Sequence, residues 1–367
     1  MKKLAQLGIF ALTIALTILL ILPAAQALDF KISGQVNRAV LWGDNGNDND
    51  VKFVDNENSS TRFRFTGSNQ FDENWTVGFK WENQMESNSS VDDSDNNGDG
   101  FGDLDIGQNS DLGDVNFTER HMDLYIEHSM FGKLSLGQGD TASNSTSEVD
   151  LSGTTVVNYS SIEDMAGAFF FRTGDDVVIA SIASSYSNFD GFSRRDRIRY
   201  DTPKFGPVFF SASYMNGQSY DLAGRFAMEW DGFGKLAAAV SWLPADTQRD
   251  SYRQYSGSIS FLHDSGFNLT FSGANRYDTP GDDEPFNLYG KVGYKFGKWA
   301  LSADYTYSED VGAINDEATS IGAAAVWNPW ESVELYGSYR FHELDGDGIR
   351  GDANDIHAVM IGSRVKF

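Results

Sequence analysis

Residues 75–82 read WTVGFKWE, and this stretch has the clearest alternation of apolar and polar residues in the chain. Large apolar side chains occupy every second position, and small, polar or charged ones occupy the positions between them. The apolar set is Trp75, Val77, Phe79 and Trp81. A period of two is that of a β-strand, because successive side chains of a strand point to opposite faces. The stretch therefore predicts a strand with one apolar face and one face toward water.

The same alternation recurs along most of the chain. In residues 59–68, Phe63 and Phe65 alternate with Arg62 and Arg64. Further strands are predicted at 29–42, 117–128, 133–139, 192–201, 208–215, 221–231, 234–243, 251–262, 266–277, 285–296, 299–308, 318–328, 331–341 and 355–367. The count is about sixteen, which is the size of a barrel with a water-filled lumen.

The connections between these strands alternate between short turns and longer polar loops. Residues 231–234 and 264–266 are short turns. The longer loops are predicted at 43–57, 87–115, 244–250, 278–284, 309–317 and 342–354. Short turns on one rim and long loops on the other are typical of outer-membrane barrels. The predicted fold class is therefore all-β, a 16-stranded antiparallel transmembrane β-barrel.

The N-terminus has the pattern of a secretory signal peptide. Lys2 and Lys3 form a basic start, 7–22 is an apolar run, and Ala25-Gln26-Ala27 fits a cleavage site. We expect cleavage after Ala27, which leaves 28–367 as the barrel domain. An uncleaved membrane anchor is the alternative, although the apolar run is short for a membrane span.

The composition excludes several classes of function. Lys and Arg number 28 against 53 Asp and Glu, which gives a formal charge of −25 and argues against a nucleic-acid partner. Because the chain has no cysteine, disulfides and thiolate chemistry are excluded. Aromatic residues make up 14% of the chain, which fits barrel strands that each need only one apolar face.

Short stretches spread over the chain resemble Gram-negative general porins of the sixteen-stranded trimeric class. They are FKISGQV at 30–36, FGKLSLGQ at 131–138, RYD at 199–201 and the C-terminal Phe367. The resemblance implies passive diffusion of small hydrophilic solutes across the outer membrane, a homotrimer and a constriction loop after the fifth strand. It also implies that the barrel-assembly machinery reads the terminal Phe367.

The constriction loop is predicted at about 140–191 and is expected to fold into the lumen. It is longer than in the most familiar porins, and its segments 168–172 and 177–183 have the composition of strands. Either segment could add to the wall and change the strand count. Four loop carboxylates are the candidate acidic lining of the pore: Glu148, Asp150, Glu163 and Asp164.

A ladder of arginines follows the loop in the next predicted strand. Arg195, Arg197 and Arg199 share one face, and Ile198 and Tyr200 share the other. An arginine facing lipid costs about 2–4 kcal/mol at the membrane midplane, so the ladder is expected to face the lumen. The same parity places three further residues in the basic lining: Arg62, Arg64 and Lys80.

Two interpretations of these charges remain open. Acidic loop and basic wall groups could face each other across water and create a transverse field. The arginines could instead be wall residues paired with local carboxylates. The position of Arg120 is also open, because the resemblance suggests the lumen while its parity matches the apolar Met122 and Leu124.

The sequence predicts a water-filled diffusion channel for ions and small hydrophilic solutes, with a weak preference for cations because of the acidic loops. The alternatives are a channel that prefers anionic or phosphate-bearing solutes through the arginine ladder, a barrel enzyme and an adhesive barrel. No nucleophile and base are placed together by a motif, so no enzyme activity is predicted.

One acidic loop resembles a calcium site. Asp95, Asn97, Asp99 and Asp103 place oxygen ligands at alternate positions, but Ile106 stands where the bidentate glutamate belongs. A solvated surface loop is the alternative. Calcium could also bridge this loop to anionic lipopolysaccharide. No cofactor is required by the predicted function.

Overall fold

The computed structural model describes residues 28–91, 116–216, 219–244, 252–277 and 283–367. Nineteen strands lie in these ranges. They are β1 (Asp29–Asp44), β2 (Asn49–Asp55), β3 (Arg62–Gln70), β4 (Trp75–Glu86), β5 (Asn116–His128), β6 (Gly132–Asp140), β7 (Phe170–Arg172), β8 (Val178–Ser181), β9 (Arg194–Asp201), β10 (Val208–Met215), β11 (Tyr220–Trp230), β12 (Gly234–Leu243), β13 (Arg253–His263), β14 (Phe267–Tyr277), β15 (Phe286–Phe296), β16 (Trp299–Glu309), β17 (Glu317–Trp330), β18 (Val333–Asp345) and β19 (Ile356–Lys366).

Helical structure in the described residues is short. The helix α1 spans Ile182–Ser185, and single 3-10 turns lie at Glu57–Ser59, Ile162–Asp164 and Gly348–Asp352. None of the helices in the described ranges is long and apolar enough to cross a membrane.

The wall of the molecule is a closed antiparallel sheet. β1 pairs with both β2 and β3, each wall strand from β3 onward pairs with the next wall strand, and β19 returns to pair with β1. The last residue takes part in this closure, because Gly34 N donates to Phe367 O at 2.9 Å and Phe367 N donates to Gly34 O at 3.0 Å. Closure leaves no free sheet edge, which is what a membrane-spanning sheet requires.

Strands β2 and β3 share a single position in the wall. β2 pairs with residues 38–44 of β1, and β3 pairs with residues 29–35. The seventeen strands of the closed sheet therefore occupy sixteen positions. The predicted 16-stranded antiparallel barrel is confirmed.

The break between β2 and β3 is satisfied by side chains. Gln35 Nε2 donates to the carbonyls of Ser59 and Ser60, both at 2.8 Å. These bonds replace ladder partners that the interrupted strand loses. The prediction that 43–57 is a loop was wrong for Asn49–Asp55, which forms β2 by pairing with the upper part of β1.

The two faces of the wall have opposite chemistry. On β16, Leu301 and Tyr305 are 40% and 49% exposed on the outside, while Asp304 and Thr306 are buried on the inside. Outward apolar residues such as Val240 and Ile361 are more than 60% exposed. A soluble protein does not expose such a continuous apolar surface, so this face is the one that contacts lipid.

Residues 141–193, between β6 and β9, fold into the barrel. β7 and β8 pair only with each other in this segment, so neither adds to the wall. The segment also brings an apolar core into the lumen, in which Phe169 and Ile182 are buried in the same cluster as Leu41 and Met360 of the wall. Gly43 of β1 is needed here, because a Cβ at this position would overlap the ring of Phe169.

Candidate functional site in the barrel lumen

The infolded segment is attached to the wall by carboxylate and hydroxyl side chains on several strands. Ser143 N donates to Asp221 Oδ2 of β11 at 2.8 Å. Val149 N and Leu151 N donate to Ser258 Oγ and Ser260 Oγ of β13, at 2.8 and 2.9 Å. Small hydroxyl side chains allow the segment to approach the wall closely and satisfy its peptide groups.

Two buried cationic side chains, on β15 and β18, bind the middle of the infolded segment. Lys291 Nζ lies 2.6 Å from Asp150 Oδ2 and donates to Asn158 O at 2.5 Å. Arg340 donates to Asp304 Oδ1 at 2.9 Å and to Asn158 Oδ1 at 2.5 Å. Asp150 was proposed as part of the acidic pore lining, but its side chain is only 3% exposed and is paired with Lys291.

The opposite side of the lumen carries a cluster of basic residues on β3, β4 and β5. Arg62, Arg64 and Lys80 point inward, as the strand register from β1 to β4 requires. Glu82 accepts hydrogen bonds from Arg64 and, at 2.9 Å, from Arg120 Nε. One carboxylate therefore faces several cations, and the cluster keeps an excess of positive charge.

A β-bulge places Arg120 in this cluster. The register between β4 and β5 shifts at Glu82 and Asn83, so that Glu82 lies opposite His121 and Asn83 lies opposite Glu119. An extra residue in one strand lets consecutive side chains enter the same face. Arg120 and His121 both reach the lumen for this reason, although strict alternation places Arg120 with the lipid-facing Met122.

The arginine ladder of β9 has a different role from the one suggested by its parity. Arg197 pairs with Asp123 at 2.5 Å, and Arg199 pairs with Asp201 at 2.7 Å. Both also donate to carbonyl groups at the start of the infolded segment, at 3.0 Å to Asp140 O and 2.8 Å to Thr141 O. Two members of the ladder are thus paired with local carboxylates and anchor the segment.

Two neighbouring arginines complete this region. Arg195 is exposed and has no hydrogen-bonded or ion-paired partner among the residues that the structure describes. Arg194 lies 3.2 Å from Asp140 and acts electrostatically on Glu148 of the infolded segment. Strict alternation along β9 places Arg194 on the outer face, opposite to Arg195. At the end of the strand, however, the Arg194 side chain points inward.

The acidic surface of the infolded segment consists of half-buried carboxylates. Burial raises the pKa of Glu163 to about 8, and the neighbouring charge of Asp164 adds to the rise. Burial also raises the pKa of Asp164 to about 7, although a hydrogen bond donated by the hydroxyl of Tyr159 lowers this pKa in part. These two groups therefore titrate near neutral pH.

Glu148 and Asp190 belong to the same surface. Burial raises the pKa of Glu148, while its hydrogen bond from Asn188 and the charges of Arg194 and Arg120 oppose the rise. Burial and then the charge of Glu148 raise the pKa of Asp190. The carboxylates on the segment and the cations on the wall are thus electrostatically coupled across the lumen.

Four charged residues of this site are not among those predicted from the sequence: Arg194, Asp190, Lys291 and Arg340. For Lys291 and Arg340 the signal was present. Each lies between lipid-facing residues of its strand, such as Tyr339 and Phe341 beside Arg340, and the cost of a charge in lipid already assigns both to the lumen. Asp190 has no such signal, because it follows no regular alternation.

No group of three or more possible metal-binding side chains occurs in the described parts of the chain. The candidate calcium ligands Asp95, Asn97, Asp99 and Asp103 lie outside the described residues. The signal peptide at 1–27 also lies outside them and stays a prediction.

A closed barrel with a lipid-facing exterior and a charged, segment-narrowed interior defines a channel-forming protein of the outer membrane. The chain belongs to the Gram-negative porin family, whose model matches residues 14–347. No curated protein sequence matches the chain significantly.

Solved structures with this fold include an anion-selective porin from Comamonas acidovorans, with a TM-score of 0.62 and 17% identity over 93% of this chain and 100% of that chain. OmpT of Vibrio cholerae in a trimer form has a TM-score of 0.57 and 14% identity, over 93% and 100% of the two chains. Salmonella typhi OmpF has a TM-score of 0.56 and 16% identity, over 92% and 97%. At these identities the likeness concerns the fold.

Proposed function

We propose that this porin is a passive diffusion channel for ions and small hydrophilic solutes. The observation that carries the proposal is the charge separation inside the barrel. Wall cations, among them Arg120 and Arg194, face carboxylates on the infolded segment, among them Glu148 and Asp164. Such a lining exchanges hydrogen bonds with polar solutes and offers nothing to apolar ones.

We further propose a weak preference for cations. The chain has a net charge of −25, and this charge concentrates cations near the entrances. The wall cations oppose this effect at the narrow part of the lumen. The preference is therefore small and depends on how many segment carboxylates are ionised.

A preference for anions is the second candidate, and two observations favour it. Glu163 and Asp164 have raised pKa values of about 8 and 7, so they carry less than their full charge at neutral pH. One protein of similar fold is described as an anion-selective porin. The two candidates predict opposite signs of the same measured voltage.

The test is a planar-bilayer recording of the refolded protein under a potassium chloride gradient. Stepwise conductance with a small reversal potential of cation sign supports the first candidate. A reversal potential of anion sign supports the second. Folded protein that produces no steps contradicts both and would direct attention to an adhesive or enzymatic role, although we propose that the barrel is not an enzyme.

We propose a homotrimer as the working unit. The proposal is supported by the trimer form described for OmpT of Vibrio cholerae and by an outward aromatic cluster on neighbouring strands. In this cluster the rings of Phe63 and Trp81 are 6.5 Å apart, and those of Phe63 and Phe117 are 5.8 Å apart. Conductance steps that occur in groups of three, and a crosslinked trimer in mild detergent, are the expected results.

Two further contacts remain proposals. Barrel-assembly machinery is expected to recognise the C-terminal strand that ends in Phe367. Calcium is proposed to bind the acidic loop at 95–103 and to bridge it to lipopolysaccharide. A calcium titration followed by the thermal stability of the barrel in lipopolysaccharide tests the second.

A further inference from the structure

A second charged region lies beside the narrow part of the lumen. It is a cavity of about 410 Å³ lined by β1, β3–β6 and β9, including Lys31, Lys80 and Lys133. The turns at 71–74 and 129–131 connect four of these strands and are short. Short turns mark the periplasmic rim, so the cavity lies on the periplasmic side of the infolded segment.

Most carboxylates that line this cavity already have an arginine partner. Asp123 pairs with Arg197, Asp201 pairs with Arg199, and Asp140 pairs with Arg194, at 2.5, 2.7 and 3.2 Å. Three lysines and one carboxylate, Asp29, remain in the lining outside these pairs. The cavity therefore carries an excess of positive charge within a strongly acidic protein.

The lysine ammonium groups are available for a ligand. Lys31 is exposed and has no ion-paired or hydrogen-bonded partner in the described residues. Lys133 Nζ lies 4.1 Å from the centre of the Tyr125 ring, and Lys80 Nζ lies 2.9 Å from His121 Nε2. None of the three contacts a carboxylate within ion-pair distance in the described part of the chain.

The cavity also has neutral hydrogen-bonding groups and a built floor. The hydroxyls of Thr66, Ser68 and Ser135 line it beside the lysines. The Tyr125 ring lies against Gly78, where a Cβ would overlap the ring. This position lets the aromatic ring lie close to the wall, and it supports Lys133 by a cation–π contact.

We propose that this cavity binds a small dianion of the phosphate class. Lysine ammonium groups bind phosphate oxygens as point charges, and hydroxyls supply the remaining hydrogen bonds. The inference rests on the proposed function, because the anion reaches the cavity through the aqueous lumen. It places a solute-retaining site on the periplasmic side, next to the charge separation that sets general selectivity and sharing Lys80 with it.

The experiment uses the full barrel in a planar bilayer in chloride solution, with inorganic phosphate added to one side at a time. We expect a saturable decrease in single-channel conductance, stronger when phosphate is added on the periplasmic side. The double variant Lys31→Gln/Lys133→Gln is expected to weaken this block at least tenfold, because two charged hydrogen-bond donors are lost.

The matched control is Lys204→Gln/Lys235→Gln. These two lysines are exposed near short turns on the same rim and are not part of the cavity lining. The control removes the same charge, so it should keep the wild-type block. If the control loses as much block as the cavity variant, general screening explains the effect and the site is overturned.

The outcomes separate this inference from the proposed function. Folded wild-type protein without conductance steps contradicts the channel. Normal steps without a saturable phosphate effect overturn the site alone. If the double variant does not fold, Lys31→Gln replaces it, since this lysine makes no contact that folding needs. Equilibrium dialysis of labelled phosphate with the wild-type barrel then gives an independent result, and no retention overturns the proposal.

Discussion

Replacing Lys291 by methionine tests whether a buried ion pair keeps the infolded segment against the wall. The Lys291 side chain is fully buried, and the Asp150 carboxylate that it contacts at 2.6 Å is 3% exposed. The substitution keeps an unbranched side chain, one heavy atom shorter, and leaves the buried Asp150 without its cationic partner, so that Ser152 N remains as a hydrogen-bond donor to it. It also removes the hydrogen bonds to Asn158 O and Thr154 Oγ1, at 2.5 and 3.1 Å.

Breaking one side of a buried ion pair costs about 3–5 kcal/mol. The segment has other attachments to the wall, so this cost is expected to appear as local detachment and not as loss of the barrel. A cost of about 3 kcal/mol raises the population of a detached segment roughly a hundredfold, since about 1.4 kcal/mol corresponds to a factor of ten. Lys291→Met should therefore show excess current noise and larger conductance excursions than the wild type.

Lys235→Met is the matched control. Its partner Glu229 is 3.1 Å away, and the two side chains are 51% and 62% exposed. An exposed pair contributes at most about 1 kcal/mol, so the control should have wild-type noise. The double variant Lys291→Met/Asp150→Asn removes the uncompensated charge, so its current noise should return most of the way to the wild-type level. If Lys291→Met is as quiet as the control, the ion pair does not hold the segment and the reasoning is refuted.

Three further predictions concern the lumen. Raising the pH from 6 to 9 should increase cation preference, because the carboxyl groups with raised pKa values of about 7 and 8 lose their protons in this range; the reversal potential of Glu163→Gln/Asp164→Asn should change far less. Arg120→Gln should shift the reversal potential toward cations, and no shift would mean that this side chain does not line the pore. Gly43→Ala should destabilise the packing of the infolded segment by about 1–3 kcal/mol, because the added methyl group overlaps the ring of Phe169. The measurement is the protease sensitivity of the segment, which should increase in Gly43→Ala and return toward the wild-type value when Phe169→Leu is added.

The strands of the barrel wall could be predicted from the sequence, because they depend on the local alternation of apolar and polar residues. Residues 234–243 and 208–215 were predicted with the bounds that β12 and β10 have in the structure. The outer faces follow from the same period, since a residue's parity alone assigns it to lipid or to lumen. The predicted and observed structures differ where the alternation is interrupted, as at β2 and at the bulge that turns Arg120 inward.

The partners of the charged residues could not be read in this way. Parity placed Arg197, Arg199 and Lys80 on the inner face, but it does not say which groups they meet. Asp150 and Lys291 are 141 positions apart and become neighbours only when the barrel closes and the segment crosses its lumen. The acidic segment was expected to face the ladder of β9, whereas the ladder is paired locally and anchors the start of the segment.

The strands and their lipid-facing sides therefore follow from the residues alone, because they depend on a period of two that each strand carries independently. The family was indicated by short porin-like stretches such as residues 30–36 and 131–138. The tertiary structure alone decided the path of residues 141–193, the charges that oppose each other and the cavity with unpaired lysines. Those features depend on sheet register, on one bulge and on contacts between distant residues. A local pattern cannot encode them, since each contact is made by groups from different strands that meet only after closure.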